Sequence, residues 1–224
     1  MKILVMNGSP KGEHSGTMKL TEAFLESFAD AEVTTIHTIN QTVKPCRGCY
    51  NCWWHTPGEC PQKDGMEKVL EQLKESDLVI WSFPLYCYGM PSNLKAYVDR
   101  LLPLSTPTQT TDENGSTYHP AREGYHFRNI MISGCGFPDR EGNYDGMEFA
   151  FDRMFGESEK IICVEAPMLT IKEAEPLAKP YLKLVKQAGI EYYETGYISE
   201  ETHKRLSTPM MNPEEYRKMC SSNG

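Results

Sequence analysis

No stretch of this sequence approaches the roughly 20 consecutive apolar residues needed to cross a bilayer. Its opening, MKILVMNGSPKG, carries an apolar run of only four residues, Ile3 to Met6, short of a secretory core of about 7–15, and no small-residue cleavage site. The chain is therefore read as cytoplasmic. Basic residues do not cluster, and 23 Lys and Arg against 31 Asp and Glu leave a formal net charge of -8, which makes nucleic acid a poor partner. Walker A and G-x-G-x-x-G spacings are both missing. The six histidines form no metal spacing, and no Ser/His/Asp arrangement for acyl transfer is visible. Eight cysteines in a reducing compartment argue against a disulfide scaffold and point to buried thiols, metal ligation or redox chemistry.

What is present is alternation. A length of 224 residues exceeds the commonest domain size of about 100–150 yet suits one α/β domain with insertions. Short apolar runs are predicted as strands at Lys2–Asn7, Glu32–Ile39, Asp77–Pro84, Asn129–Gly136 and Lys160–Ala166. Helical periodicity is predicted from Ser15, over Gly65–Glu75, after Pro91, over Tyr144–Phe155 and over Glu173–Ala188. Strands alternating with helices imply a parallel sheet covered on both faces, and uniformly apolar strands suit that burial. Three segments interrupt the rhythm: a cysteine-rich insertion at about 44–62, a polar Thr/Pro/Gly-rich excursion at about 103–126, and a C-terminal arm at about 196–224 in which Met210, Met211 and Tyr216 suggest packing.

In an open α/β sheet, ligands bind outside the carboxyl ends of the strands. The loop after the first strand, NGSPKGEHSGT, offers hydroxyls at Ser9, Ser15 and Thr17, one cation at Lys11, and a helix start, which together suit an anion such as a phosphate. A plain capped turn is the alternative. The loop after the third strand, SFPLYCYGMP, is too apolar to leave in water unless it covers something flat, and it holds Tyr86, Cys87, Tyr88 and Gly89. The loop after the fourth strand, SGCGFPDREGNYDGM, adds glycines where a backbone can approach a ring edge, with Phe137 and Tyr144. Cys163 reads as core, and Cys87 and Cys135 as small thiols within the loops.

The stretch CRGCYNCWWHTPGEC holds Cys46, Cys49, Cys52 and Cys60. Soft thiolates suit an iron-sulfur cluster or a four-cysteine zinc site, and His55 leaves a Cys-and-His zinc site open. Inert thiols filling a small pocket are a further reading. A redox pair at Cys49 and Cys52 is disfavoured, because the C-x-x-C follows a turn rather than opening a helix after a strand.

Taken together, NGSPKGEHSGT, PCRGCYNCWWHTPGECPQKDGM and SFPLYCYGMPSNLKAYVDR resemble the NADPH-dependent FMN reductase and iron-sulfur flavoprotein family, from Met1 to about Pro167. The resemblance implies a flavodoxin-like three-layer sandwich with strand order 2-1-3-4-5, noncovalent FMN, and a homodimer or tetramer. By position it assigns the phosphate loop to Ser9, Lys11, Ser15, Gly16 and Thr17. The ring-facing stretch falls to Pro84, Leu85, Tyr86, Tyr88 and Gly89, and the far edge to Ser133, Gly134 and Gly136. Lys11 is the loop's only cation, and Ser15-Gly16 stands where the family often has Gly-Asn. The C-x2-C-x2-C-x7-C spacing resembles the family's [4Fe-4S] motif, giving Cys46, Cys49, Cys52 and Cys60 as ligands. The implied activity is electron transfer from NAD(P)H through FMN to a quinone, flavin or nitro compound, with no protein nucleophile. Backbone N–H groups of the fourth-strand loop would stabilise the reduced ring, and Tyr86, Tyr88, Trp53 and Trp54 would shape an aromatic slot. An iron-sulfur electron carrier with ferredoxin as partner, or a redox-sensing flavin module, are the alternatives.

Overall fold

A computed structural model describes residues 1–40 and 42–222. Strand β1 (Lys2–Asn7) leads into helix α1 (Gly16–Leu25), then β2 (Glu32–His37). The single-turn helix α2 (Asn51–Trp54) precedes α3 (Met66–Glu75), β3 (Leu78–Pro84) and α4 (Ser92–Val98). A two-residue hairpin, β4 (Thr110–Thr111) and β5 (Thr117–Tyr118), interrupts the alternation before β6 (Arg128–Gly134), α5 (Asp145–Phe155) and β7 (Glu159–Cys163). Helices α6 (Glu175–Thr195), α7 (Glu200–Leu206) and α8 (Pro213–Ser222) follow.

The sheet is five-stranded and parallel in the order β2-β1-β3-β6-β7. With the small hairpin set aside, that is the predicted 2-1-3-4-5 order. Both faces are covered. On one, Ile3, Val5, Ile80 and Ile132 pack with Phe24 of α1 and Val185 of α6; on the other, Leu4, Trp81 and Met131 pack with Leu73, Leu94 and Phe151 of α3, α4 and α5. Two-sided burial is why the strands read as continuous apolar runs. Pairing of Asn7 with Ser82 and of Pro84 with Gly134 carries β3 and β6 two residues beyond β1, so the loops after these strands open on one edge. Among the described residues no helix is long and apolar enough to cross a membrane.

Several predicted boundaries move for identifiable reasons. Strand β2 stops at His37 because Thr38 turns into a 3-10 segment and its hydroxyl donates to the Asn7 carbonyl at 3.1 Å. The predicted strand through Gly136 ends at Gly134, and the one through Ala166 ends at Cys163, where Glu165 enters the left-handed region at φ 57°. Pro91 and Tyr144 stand just outside their helices, and α4 gives way at Asp99 to a 3-10 segment reaching Leu104. Helix α6 runs past Ala188 to Thr195. Gly189 permits this: a Cβ there would lie 2.2 Å from the Phe24 carbonyl oxygen, so only glycine lets α6 settle on α1.

Candidate functional site

The loop after β1 is built around a side chain that sequence reasoning passed over. Asn7, fully buried, accepts from the Ser9 N–H at 2.9 Å, donates to the Gly12 carbonyl at 2.9 Å and meets His37 Nδ1 at 2.8 Å. Asn93 of α4 holds the same loop from the other side, donating to the Gly8 carbonyl at 3.1 Å and to Thr38 Oγ1 at 2.8 Å. Nothing in the sequence marked Asn7 or Asn93, because asparagine beside a glycine reads equally as a turn former.

Within this frame Ser9, Ser15 and Thr17 are all buried. Ser9 Oγ accepts from the Lys11 N–H at 3.2 Å, which leaves its hydroxyl hydrogen to donate elsewhere. Ser15 is the N-cap of α1: its Oγ accepts from the Met18 N–H at 3.1 Å and hydrogen-bonds Thr17 Oγ1 at 3.2 Å. Gly16 opens the helix, whose first-turn N–H groups have no intrahelical partner. The Lys11 side chain stands exposed at the lip.

Beyond β3, Pro84 and Leu85 are half-buried and lead into a tight turn. Tyr86 and Gly89 exchange N–H to carbonyl bonds at 3.0 Å each, forcing Cys87 and Tyr88 to φ 47° and 60°. Left-handed backbone is unusual at two successive non-glycine residues, and a tyrosine there stores strain. The strain presents Tyr86 and Tyr88 to solvent at 47% and 62% exposure. Across the edge, Phe137 from the loop after β6 lies parallel to Tyr88, 10° between planes and 6.3 Å between centroids.

The far-edge residues divide. Gly136 is exposed. Ser133 is directed inward, its hydroxyl donating to the Phe83 carbonyl at 2.8 Å and pairing with the Tyr144 hydroxyl at 2.9 Å. Gly134 is a packing position: a Cβ would lie 2.6 Å from Ala166 Cβ and 3.6 Å from Thr17 Cγ2, so its bareness brings the first and third loops together. Ser133 and Gly134 thus support the exposed surface from beneath.

The cysteine segment follows β2 and runs up to α3. Cys46 and Cys49 are exposed, Cys60 is intermediate and Cys52 is buried in α2. Burial pushes the Cys52 thiol up, and neighbouring Cys60, then Cys46 and Cys49, add to that. The four thiols therefore share a neighbourhood, yet no group of three or more His, Cys, Asp or Glu among the described residues is placed to hold a metal ion. Trp53 packs between Tyr50 and His119, at 5.3 and 4.7 Å, with its indole N–H on the Leu102 carbonyl at 3.0 Å; Trp54 is exposed.

A helix start lined with buried hydroxyls, a strained aromatic turn and an exposed glycine on one sheet edge fit a flat ring with an anionic tail. Their place at the carboxyl ends of the strands is where a doubly wound α/β fold binds its ligand. The chain belongs to the flavodoxin-like fold family, whose pattern matches residues 1–156. It is 27% identical over 147 residues to an iron-sulfur flavoprotein of Archaeoglobus fulgidus, covering 64% of this chain and 60% of that protein. It is 29% identical over 135 residues to an FMN-dependent NADH:quinone oxidoreductase of Pseudomonas fluorescens, covering 55% and 64%. The chain thus spans less than two thirds of the length of these relatives. Among solved structures, an FMN-dependent NADH-azoreductase of Bacillus anthracis in complex with FMN superposes with a TM-score of 0.60 at 19% identity, over 84% of this chain and 97% of that one. An NAD(P)H:quinone oxidoreductase of Methanothermobacter marburgensis gives 0.61 at 16%, over 85% and 95%. At such identities the structural likeness is one of fold.

Proposed function

We propose that this protein is an FMN-dependent oxidoreductase that takes electrons from NAD(P)H and passes them to a quinone, flavin, nitro compound or similar small acceptor. The observation that carries the reading is the convergence on one edge of the hydroxyl-lined start of α1 and the strained Tyr86–Gly89 turn with its outward tyrosines. The names of the sequence relatives support it. Bound there, FMN would supply two-electron acceptance from a hydride donor and delivery to a second substrate.

The chain's own groups bind and orient. Ser9, Ser15 and Thr17, with the first-turn N–H groups of Gly16 and Thr17, hold the phosphate; the exposed Lys11 adds charge at the lip. Pro84, Leu85, Tyr86, Tyr88 and Gly89 form the wall for the ring, and Gly136 the bare edge, with Ser133 and Gly134 fixing that edge from below. Tyr88 and Phe137 bound the opening through which nicotinamide and acceptor enter in turn. No side chain is required as nucleophile.

The purified protein should take up FMN stoichiometrically, and the flavin band should bleach on anaerobic mixing with NADPH. Ser9→Asp, which sets a carboxylate where the phosphate lies, should abolish uptake. Failure to bind FMN at micromolar concentration would sink the proposal, and reduction by dithionite or ferredoxin but not by NADPH would replace reductase with carrier.

That carrier reading has one observation of its own, the shared neighbourhood of Cys46, Cys49, Cys52 and Cys60. A [4Fe-4S] cluster with ferredoxin as partner requires the exposed Cys46 and Cys49 to close on Cys52 and Cys60, and no step is derived through it. Iron and acid-labile sulfide in anaerobically prepared protein decide it.

A further inference from the structure

Glu165 is buried to 0% exposure, sits in the left-handed region at φ 57°, and lies beyond residues 1–156, the part of the chain that matches the family. Its backbone closes the third loop: the Glu165 N–H donates to the Phe137 carbonyl at 2.9 Å, the Ala166 N–H to the Cys135 carbonyl at 2.9 Å, and the Cys135 N–H to the Cys163 carbonyl at 3.1 Å. The neighbouring Ala166 fills the space left by Gly134 and approaches Gly16, where a Cβ would lie 3.0 Å from its carbonyl oxygen. Its side chain turns the other way, to the segment ahead of α8, where Oε2 accepts from the Met210 N–H at 2.7 Å and the Met211 N–H at 3.2 Å. Oε1 is buried without a partner. Burial pushes this carboxyl up, against the pull of the Met211 and Met210 N–H groups. A second tie runs alongside, from Arg217 of α8 to Asp139 at 2.8 Å.

A strained, buried acid that ends on two main-chain donors is a costly way to stop a strand unless it fixes something. We propose that Glu165 is a positioning residue that pins the C-terminal arm beneath the 135–137 loop and thereby sets Gly136 and the Phe137–Tyr88 pair at the cofactor's edge. The proposal rests on the flavin reading above. It makes the arm part of the site, although no described residue of the arm is among those assigned to line it.

The test is FMN affinity, from quenching of flavin fluorescence, together with visible circular dichroism of the bound flavin, for wild type and for Glu165→Ala, Glu165→Asp and Glu165→Gln. Removing the acceptor of the half-buried Met210 and Met211 N–H groups should weaken FMN about tenfold in E165A. E165D, whose carboxyl falls one methylene short, should lose about threefold and alter the flavin dichroism. E165Q keeps an acceptor oxygen for Met210 and Met211 and should bind within about twofold of wild type with an unchanged spectrum. Should E165A fail to fold, E165D against E165Q decides alone. A purely structural role would lower thermal stability without changing the dichroism of the flavin that is bound. Equal affinity and spectra across E165D and E165Q, or E165Q as weak as E165A, would overturn the inference while leaving the flavin reading intact. Wild type that binds no FMN removes the flavin reading first, and this inference with it.

Discussion

The three loops over the sheet edge and the cysteine segment differ in how they are held. Each cofactor loop continues a buried strand and is tied to its neighbours many times over: Asn7 and Asn93 brace the first, the Leu85 N–H reaches the Gly134 carbonyl at 2.9 Å, and Glu165 closes the third. The cysteine segment is closed at its neck chiefly around one side chain, with the Lys44 N–H on Asp64 at 2.9 Å beside it. Arg100, 1% exposed, donates to the Lys44 carbonyl at 2.8 Å and the Gln62 carbonyl at 3.2 Å, and grips Asp64 through two bonds of 3.0 Å. The first arrangement is braced by the chain's own bonds. The second fixes the ends of a segment and leaves the exposed Cys46 and Cys49 free of the sheet, as a region that reorganises on binding requires.

Arg100→Leu should break this comparison most severely. Asp64 would remain buried without its partner, and removal of one member of a buried pair costs about 3–5 kcal/mol. Urea unfolding should register that loss, and limited proteolysis should cut between residues 44 and 64 while the loops over the sheet stay intact. Acidity provides a check of sign. Burial alone would push the Asp64 carboxyl up, but Arg100 and the Lys44 and Met66 N–H groups outweigh it and hold the acid below its ordinary range. Its contribution is therefore present above the unfolded carboxylate pKa of about 3.9 and lost as pH falls through the depressed value. In R100L the sign reverses, and acid should relieve part of the damage. Equal protease sensitivity of both regions would end the distinction between them.

A smaller effect is expected from Asn7→Ala, which removes the brace and leaves the Ser9 N–H and Gly12 carbonyl without their partner, at about 1–3 kcal/mol. FMN should bind roughly tenfold more weakly, with the helices unchanged by far-ultraviolet circular dichroism. Unchanged FMN affinity would mean that the phosphate does not sit in the first loop.

Asn7 also marks where sequence stopped being informative. The five strands and their parallel pairing were legible because they alternate with helices and two-sided burial writes uninterrupted apolar runs such as ILVM and LVIW into the chain, while their order followed from the family resemblance. The hydroxyls of Ser9, Ser15 and Thr17 were legible as a group because they fall at the start of a helical pattern. The residues that hold these features were not. Arg100 lies in an amphipathic pattern where a cation reads as solvent-facing, and only the return of residues 44–64 to its guanidinium buries it. Glu165 reads as the end of a strand, since a left-handed backbone leaves no mark on glutamate. Ser133, assigned to the far edge by resemblance, turns its hydroxyl to Phe83 and Tyr144, a direction that sequence does not carry. Periodicity reports burial against regular elements; it is silent on contacts made once, between segments distant in the chain.

The smallest predicted change sharpens the contrast from the side of the braced loops. Tyr88 has φ 60° in a turn whose two central residues both prefer glycine, and among the described residues its ring stacks on Phe137. If the loop were only a connection, Tyr88→Gly would be an improvement without penalty, relieving strain of about 1 kcal/mol and raising the melting temperature by a few degrees. The same substitution removes the ring that bounds the opening. We expect Y88G to be slightly more stable than wild type, to weaken FMN several-fold, and, when saturated with FMN, to raise KM for the acceptor several-fold with kcat little changed, since uniform binding is what a wall of this kind supplies. Separation of the two effects, stability up and acceptor binding down, identifies strain retained for function; a stable variant with unaltered KM would assign the turn to folding alone.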